Sequence, residues 1–295
     1  MPELPEVETV ARQLDVALRG RNLHALKIYD EKLAATPTRS IRDRCVTKVT
    51  RLGKQIALEL APRGREKSPL LILVHLRMSG RLIWEAAPGK AHSAAGPGAA
   101  GRRAALPGAA GRGAVGPEKH VRARFSFNGG EVKFVDPRRF GTITVVSVAD
   151  LAAAGALDAL SEELTHRKLV ELLAKSKQPI KPWLLRQDRL LGIGNIYACE
   201  ILFASHIYPR RPASSLTAPE LKSLRGSLRR VLRRAIELGG TTFSDYQRTD
   251  GTKGGFQRLL KVYDREGSRC RRCGGSIQRI VQAGRSTFFC PDCQQ

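Results

Sequence analysis

Four of the six cysteines in this 295-residue chain fall in one late cluster, Cys270-x2-Cys273 and, after sixteen residues, Cys290-x2-Cys293. This spacing restricts the fold more tightly than any other feature. Each pair forms a knuckle that turns two sulfurs toward one point, and Gly274-Gly275 supplies the turn after the first pair. Four soft thiolates at this spacing form the ligand set of a single tetrahedral zinc ion, against the alternative of disulfides, which a reducing compartment disfavours. With four protein ligands no position stays open for a substrate, so the metal serves folding and not chemistry. Cys45 and Cys199 lack a partner pattern and read as buried small apolar residues.

Charge restricts the partners. The chain carries 51 Lys and Arg against 27 Asp and Glu, a formal charge of +24, with a pI near 10.6. Such a surplus repels itself unless a polyanion is near, which points to nucleic acid. The longest apolar run, Leu70 to Leu76, is interrupted by His75 and reads as a buried strand, far short of the ~18 residues of a spanning helix. The acidic, proline-bearing start is not a signal peptide. We therefore expect a cytoplasmic, nucleoid-associated protein without a membrane.

The start itself, Met1-Pro2-Glu3-Leu4-Pro5-Glu6-Val7-Glu8-Thr9, places a secondary amine beside a carboxylate once the initiator methionine is removed. An α-amine titrates near pH ~8, so part of Pro2 nitrogen is unprotonated at neutral pH and competent to attack an electrophilic carbon. The plainer reading is that these residues only lead into a helix. Val7, Val10, Ala11, Leu14, Ala17 and Leu18 recur at helical spacing, Glu6 and Glu8 suit the first turn, and Gly20 closes the segment.

The rest divides by pattern. Strand-length apolar stretches cover His24 to Tyr29, Cys45 to Leu60, Leu70 to Leu76 and Arg81 to Trp84, and an Asn128-Gly129 turn joins Val121–Phe127 to Val132-Phe134. Together they predict a β-sandwich or barrel in residues 1–150. Residues 86–117 are mostly Ala, Gly, Pro and Arg, among them Lys90, Arg102, Arg103 and Arg112, and read as a disordered insertion. From Leu151 the pattern turns helical to about residue 262, including a helix from Pro219 to Leu238 whose five arginines face largely outward. Residues 263–295 hold the cysteine cluster. Gly192-Ile193-Gly194-Asn195-Ile196-Tyr197 lacks the signature of a nucleotide loop. Placed between two helices, it offers a helix N-terminus to a DNA phosphate.

Five blocks in order carry a specific resemblance: the N-terminal Pro-Glu-Leu-Pro-Glu-Val-Glu-Thr, His75-Leu76-Arg77-Met78-Ser79-Gly80, Asp136-Pro137-Arg138-Arg139-Phe140-Gly141, Gly192 to Ala198, and the cysteine cluster. The chain resembles the formamidopyrimidine-DNA glycosylase family along its length, apart from the insertion. The resemblance implies an α+β protein: an N-terminal β-sandwich domain with a leading helix, a helix-two-turns-helix domain and a zinc-ribbon-like β-hairpin finger. It implies a bifunctional glycosylase and abasic-site lyase of base excision repair. Such an enzyme, acting as a monomer on double-stranded DNA containing oxidised purines, forms an N-terminal proline Schiff base and completes β,δ-elimination. Its cofactor is one structural Zn2+ on Cys270, Cys273, Cys290 and Cys293.

By the same resemblance Pro2 is the nucleophile, Glu3 the general acid, Lys54 a group near the sugar and phosphate, and Arg285 a finger residue serving DNA binding and the second elimination. Met78, Arg138 and Phe140 match the residues that fill the hole left by the flipped nucleotide. His120, Lys177, Lys181 and Asn195 match phosphate contacts, with His120 shortened against the family pattern directly after the insertion. Asp250 to Phe256 resembles the loop that covers the flipped base. Without the resemblance, Lys54 would read as a solvated hairpin lysine, and Met78 and Phe140 as core residues. An endonuclease VIII-like relative is disfavoured by Leu4, where that branch has Gly, and by the Arg-Arg-Phe block. A DNA binder without activity needs none of Pro2, Glu3 and Lys54.

Overall fold

The computed structural model describes residues 1–33, 41–64, 68–87, 118–148, 156–241 and 254–295. Most of the predicted insertion, including Lys90, Arg102, Arg103 and Arg112, lies outside the described residues, as do 149–155 and residues 250–253 of the predicted base-covering loop.

Helix α1 (Leu4–Leu18) starts with Pro5 in its first turn and ends before Gly20, whose φ is 79°. Its apolar face is shared between two cores. Leu4 belongs to the core of the helical region, whereas Val7, Val10, Ala11, Leu14 and Leu18 belong to that of the β-sandwich. One continuous helix thus ties both regions together, with its first turn at their junction.

The sandwich is an antiparallel sheet of eight strands: β1 (Asn22–Ile28), β2 (Arg44–Leu52), β3 (Gln55–Leu60), β4 (Leu70–His75), β5 (Arg81–Ala86), β6 (Val121–Phe127), β7 (Gly130–Val135) and β8 (Thr142–Ser147). In space the order is β5-β7-β6-β1-β2-β3-β4-β8. The halves meet where β1 pairs with β2 at Asn22↔Cys45 and Leu23↔Arg44. Strand β6 alternates as predicted, burying Val121, Ala123, Phe125 and Phe127 while Arg122, Arg124 and Ser126 are half-buried. The two-residue Asn128-Gly129 connection joins it to β7. The long predicted stretch from Cys45 to Leu60 is two strands, because the chain reverses at Gly53-Lys54, where Gly53 has φ 57°.

In the helical region, β9 (Leu157–Asp158) pairs in parallel with β10 (Leu190–Leu191), among helices α2 (His166–Leu173), α3 (Ile180–Leu184), α4 (Asn195–Ala204) and α5 (Ala218–Glu237). The glycine-rich stretch therefore has a two-residue strand before it, a correction to its predicted placement directly between helices. Helix α5 begins with Thr217 at its N-cap in a capping box with Glu220. Its arginines are less free than the pattern implied: Arg229 pairs with Glu162, and Arg225 donates to the Leu164 carbonyl at 2.7 Å. The finger is a hairpin of β11 (Gln278–Gln282) and β12 (Arg285–Phe289). It turns at Ala283-Gly284, where φ is 47° and 70°, the left-handed pair of a tight two-residue hairpin.

Candidate active site at the junction of the three regions

Glu3 is 3% exposed, and its carboxylate seats on the N-terminus of α4. It accepts from the amides of Gly194 at 2.9 Å, Ile196 at 3.0 Å and Tyr197 at 3.3 Å. This corrects the expected use of the loop, since the amides offered to a DNA phosphate are taken by a carboxylate of the same chain. Gly194 is required here: a Cβ would lie 2.2 Å from the Glu3 carboxyl carbon. Burial pushes the Glu3 carboxyl up from its ordinary range, opposed by the charge of Lys54 and by the amides of Ile196 and Tyr197. A buried carboxyl whose pKa is raised keeps its proton to higher pH, which suits general acid work. Pro2, beside it, is buried, whereas Met1 is 45% exposed.

Lys54 is not a solvated hairpin lysine. It is 6% exposed, and burial drives its ammonium pKa down against the pull of Glu3. Its turn is clamped from the other side of the junction. Asp158 of β9 takes a two-pronged grip from Arg51 and accepts the Gly53 amide at 3.2 Å, while Arg51 Nε reaches Glu8 at 3.0 Å. Nearby His75 accepts from the Arg77 amide at 3.0 Å through Nδ1. Burial and the charges of Arg77 and Lys54 lower it to about 4, so it is neutral at pH 7.

Arg285 follows the hairpin turn and is exposed; burial lowers the Lys181 ammonium as it does that of Lys54, and the charge of Arg285 adds to the lowering of both. Two residues hold its strand. Lys181 donates through Nζ to the Ser286 carbonyl at 3.0 Å and to Thr287 Oγ1 at 2.7 Å, and Asn195 Nδ2 donates to the same carbonyl at 3.0 Å. Lys181 is 0% exposed, so the expected phosphate contact is corrected: its ammonium is spent inside the protein, where it places Arg285. Asn195 is half-buried, Lys177 is exposed between α2 and α3, and His120 sits half-buried before β6 with Nδ1 buried and unpartnered. Lys181→Met would take the donor from buried Thr287 Oγ1 while Asn195 still serves the Ser286 carbonyl, at a cost of about 1–3 kcal/mol. It is expected to lower lesion excision by more than it lowers zinc content, checked by metal analysis beside a single-turnover assay.

The cysteine sulfurs lie within 4.8 Å of one another, with Cys270 to Cys293 at 3.9 Å and Cys273 to Cys290 at 3.5 Å. A zinc tetrathiolate with Zn–S bonds of about 2.3 Å has edges of about 3.8 Å, so the residues fit one structural zinc. The finger is fastened to the helical region by Glu200 of α4, whose buried carboxylate accepts the amides of Lys261, Val262 and Tyr263, each at 2.9 Å.

On the sandwich side, Met78 and Phe140 are 44% and 52% exposed, large apolar groups in water where pattern alone placed them in the core. Arg138 lies over the Phe140 ring, 5.3 Å from its centroid. Buried Asp136 organises both loops: Ser79 donates to it at 2.5 Å and the amides of Phe140 and Gly141 at 2.9 and 2.8 Å. Arg139 is drawn off by a two-pronged bond to Asp30 at 2.5 and 2.9 Å, which leaves Arg138 and Phe140 to solvent.

Three family models match in sequence order. The formamidopyrimidine-DNA glycosylase N-terminal domain covers residues 1–143, its H2TH domain 156–247, and the zinc finger found in FPG and IleRS 267–295. The formamidopyrimidine-DNA glycosylase of Gluconobacter oxydans is 37% identical over 306 residues, covering 100% of both chains. The chain belongs to the formamidopyrimidine-DNA glycosylase family. That of Desulfitobacterium hafniense is 35% identical over 308 residues, again with 100% of both covered. Among solved structures, Lactococcus lactis Fpg with abasic-site DNA superposes with a TM-score of 0.80 at 29% identity over 99% of each chain. MutM with carbocyclic 8-oxo-G DNA gives 0.80 at 29% over 100% of each. As a formamidopyrimidine-DNA glycosylase the chain is a DNA repair enzyme with the glycosylase and abasic-site lyase activities characteristic of the family. No helix among the described residues is long and apolar enough to cross a membrane.

Sequence reasoning missed Glu6, taken as a first-turn acid. It is 2% exposed, accepts the Glu3 amide at 2.9 Å, the Tyr197 hydroxyl at 2.6 Å, and the Thr241 amide and hydroxyl at 2.6 and 3.0 Å. It thereby pins the peptide link between Pro2 and Glu3 to α4 and to the end of α5. Proximity to Pro2-Glu3 was the available signal. Burial first, then the charge of Glu3, raise Glu6 from 4.5 to about 7. Between those values the folded chain holds more protons than the unfolded one, so this group's stabilisation is full below about pH 4.5 and is lost as pH rises through about 7. His75, lowered to about 4, acts in the opposite sense, so the informative quantity is a difference. The stability of wild type relative to Glu6→Gln is expected to fall by roughly 3 kcal/mol from about pH 5 to 8, measured by urea unfolding.

Proposed function

We propose that the chain excises oxidised purines, 8-oxoguanine and formamidopyrimidines, from duplex DNA and then cuts the strand by β,δ-elimination. The observation that carries this reading is the buried Glu3 carboxylate, adjacent to Pro2 and within the field of Lys54. After removal of Met1, Pro2 nitrogen attacks C1′ of the flipped nucleotide as the bond to the damaged base breaks, and the amine proton passes to the departing base. Glu3 gives its proton to the ring oxygen O4′, which opens the sugar and leaves an iminium on C1′. The iminium acidifies the C2′ protons; loss of one expels the 3′ phosphate, and a second elimination expels the 5′ phosphate. Lys54 and Arg285 supply positive charge beside the phosphates.

Met78, Phe140 and Arg138 would enter the duplex, the apolar pair filling the vacated stack and Arg138 meeting the orphaned base. His120, Lys177 and Asn195 would serve phosphates. The enzyme would act as a monomer at the nucleoid, with boundaries near residues 150 and 262. Relatives are solved with abasic, 8-oxo-G and oxidised-pyrimidine DNA, so lesion class must be measured. The test is borohydride trapping on 8-oxoguanine opposite cytosine, with an oxidised-pyrimidine duplex, an undamaged duplex and a Pro2→Gly variant alongside. A covalent adduct strongest on the purine lesion and weakened in the variant, whose glycine amine is still a nucleophile, is expected. Equal trapping on the pyrimidine lesion would remove the purine assignment, and an adduct mapped to any residue other than the N-terminal one would remove Pro2 as nucleophile.

A further inference from the structure

A cavity of about 480 Å³ opens where α4, α5 and the first cysteine knuckle meet, within the range of small-ligand sites, about 300–1,000 Å³. Glu3, Lys54 and Arg285 do not line it. Phe203, which does, lies eight residues beyond Asn195 and so about 12 Å along α4 from the end that seats Glu3. The floor is apolar, built from Phe203, Val231, Phe256 and Leu259, the last 38% exposed.

Its rim is cationic. Arg230 and Arg234 stand one turn apart on α5, Lys261 lies on the linker to the finger, and Arg271 and Arg272 lie on the knuckle. All five are exposed. Arg234 has Glu237 at 2.8 Å. Among the described residues, the ion pairs leave Arg230, Lys261, Arg271 and Arg272 without a carboxylate, their polar contacts being neutral ones such as Arg230 to Ser227 Oγ at 3.0 Å and Arg271 to the Arg258 carbonyl at 3.3 Å. Glu200, the one acid among the described residues of the lining, is 4% exposed and committed to three amides. Unpaired cations around an apolar floor call for an anionic partner that also has something to bury.

The arrangement favours spaced carboxylates over a phosphate. A helix N-terminus would favour a phosphate, whereas α4 reaches this cavity with its carbonyl end, where the Phe203 carbonyl accepts from Arg272 at 3.1 Å. The cations come from three separate elements, as a chain of side-chain carboxylates would require. Arg272 already stacks on Phe203, 4.2 Å from its ring centroid, forming a cationic and aromatic wall on which a further ring can lie. We propose that this cavity docks an acidic peptide segment of a partner protein, with one large apolar side chain on the floor and flanking carboxylates on the rim.

The test is fluorescence polarisation of a labelled Asp-rich decapeptide containing one Phe, titrated with the full-length zinc-loaded chain. Control arms use the same peptide with Ala for Phe, Arg230→Glu and Arg271→Glu variants, and competition by inorganic phosphate and undamaged duplex. Expected are saturable binding, a loss of about tenfold or more on removing the ring or reversing either charge, and unchanged 8-oxoguanine excision by both variants. Metal content and melting temperature verify that the variants are folded. Absence of binding, equal affinity for the two peptides, insensitivity to charge reversal, or displacement by phosphate or duplex would each overturn the proposal, displacement by either competitor assigning the cations to a general phosphate-binding surface.

Discussion

Replacing Glu3 with Gln is expected to slow release of the damaged base by about 10²- to 10⁴-fold, the span general acid catalysis commonly supplies. Binding of the damaged duplex should change far less. The amide keeps the side chain's volume and one carbonyl oxygen for the α4 amides, so the seat on Gly194, Ile196 and Tyr197 is perturbed but not vacated. The loss should depend on the substrate. At a preformed abasic site the base is already gone and the sugar opens to its aldehyde unaided, so the variant should retain much more strand cleavage there than on 8-oxoguanine. Single-turnover assays on the two duplexes, with a binding titration beside them, measure the contrast. Equal losses on both would mean that Glu3 acts by holding α1 against α4 and not as a proton donor. In the wild type, excision should fall as pH rises through the raised Glu3 pKa, and Glu3→Gln should flatten that limb of the profile.

Cys290→Ser, or removal of zinc by a strong chelator, is expected to have the largest structural effect. Zinc binding by four thiolates stabilises small modules by about 10–16 kcal/mol in isolation, more than a 29-residue finger supplies from its own core. The apolar cluster beneath the finger is shared, joining Cys199 and Phe203 of α4 to Val262, Ile277 and Phe288, so the helical region loses part of its support too. The hairpin that carries Arg285 then has no fixed position, and Lys181 faces solvent without the Ser286 and Thr287 acceptors that allow its burial. We expect one zinc per chain, a lowered melting temperature and loss of excision and of tight DNA binding together on chelation. Retained excision by metal-free protein would separate Arg285 from the finger's integrity.

The helices, the alternating strands, the Asn128-Gly129 hairpin and the zinc ligand set were legible in the sequence, because each is local: a period, a turn dipeptide or a spacing specifies it within about twenty residues. The placing of Pro2 beside Glu3 was legible for the same reason, since it is a matter of adjacent residues. Environment was not. Glu6 and Glu8 look alike in the sequence, yet one is buried beneath Tyr197 and Thr241 and the other bonds Arg51 nearer the surface. Lys177 and Lys181 look alike, yet one is exposed and the other wholly buried on the finger strand. Asp136 gives no hint in the sequence that it ties two hairpin loops together so that Met78 and Phe140 face water. These contrasts depend mostly on contacts between residues about 40 to 240 positions apart, where burial sets both hydrogen-bonding needs and protonation. Sequence alone determined which groups could react and which elements could form; the packing of α1 across two cores, with the finger against α4, decided which groups meet.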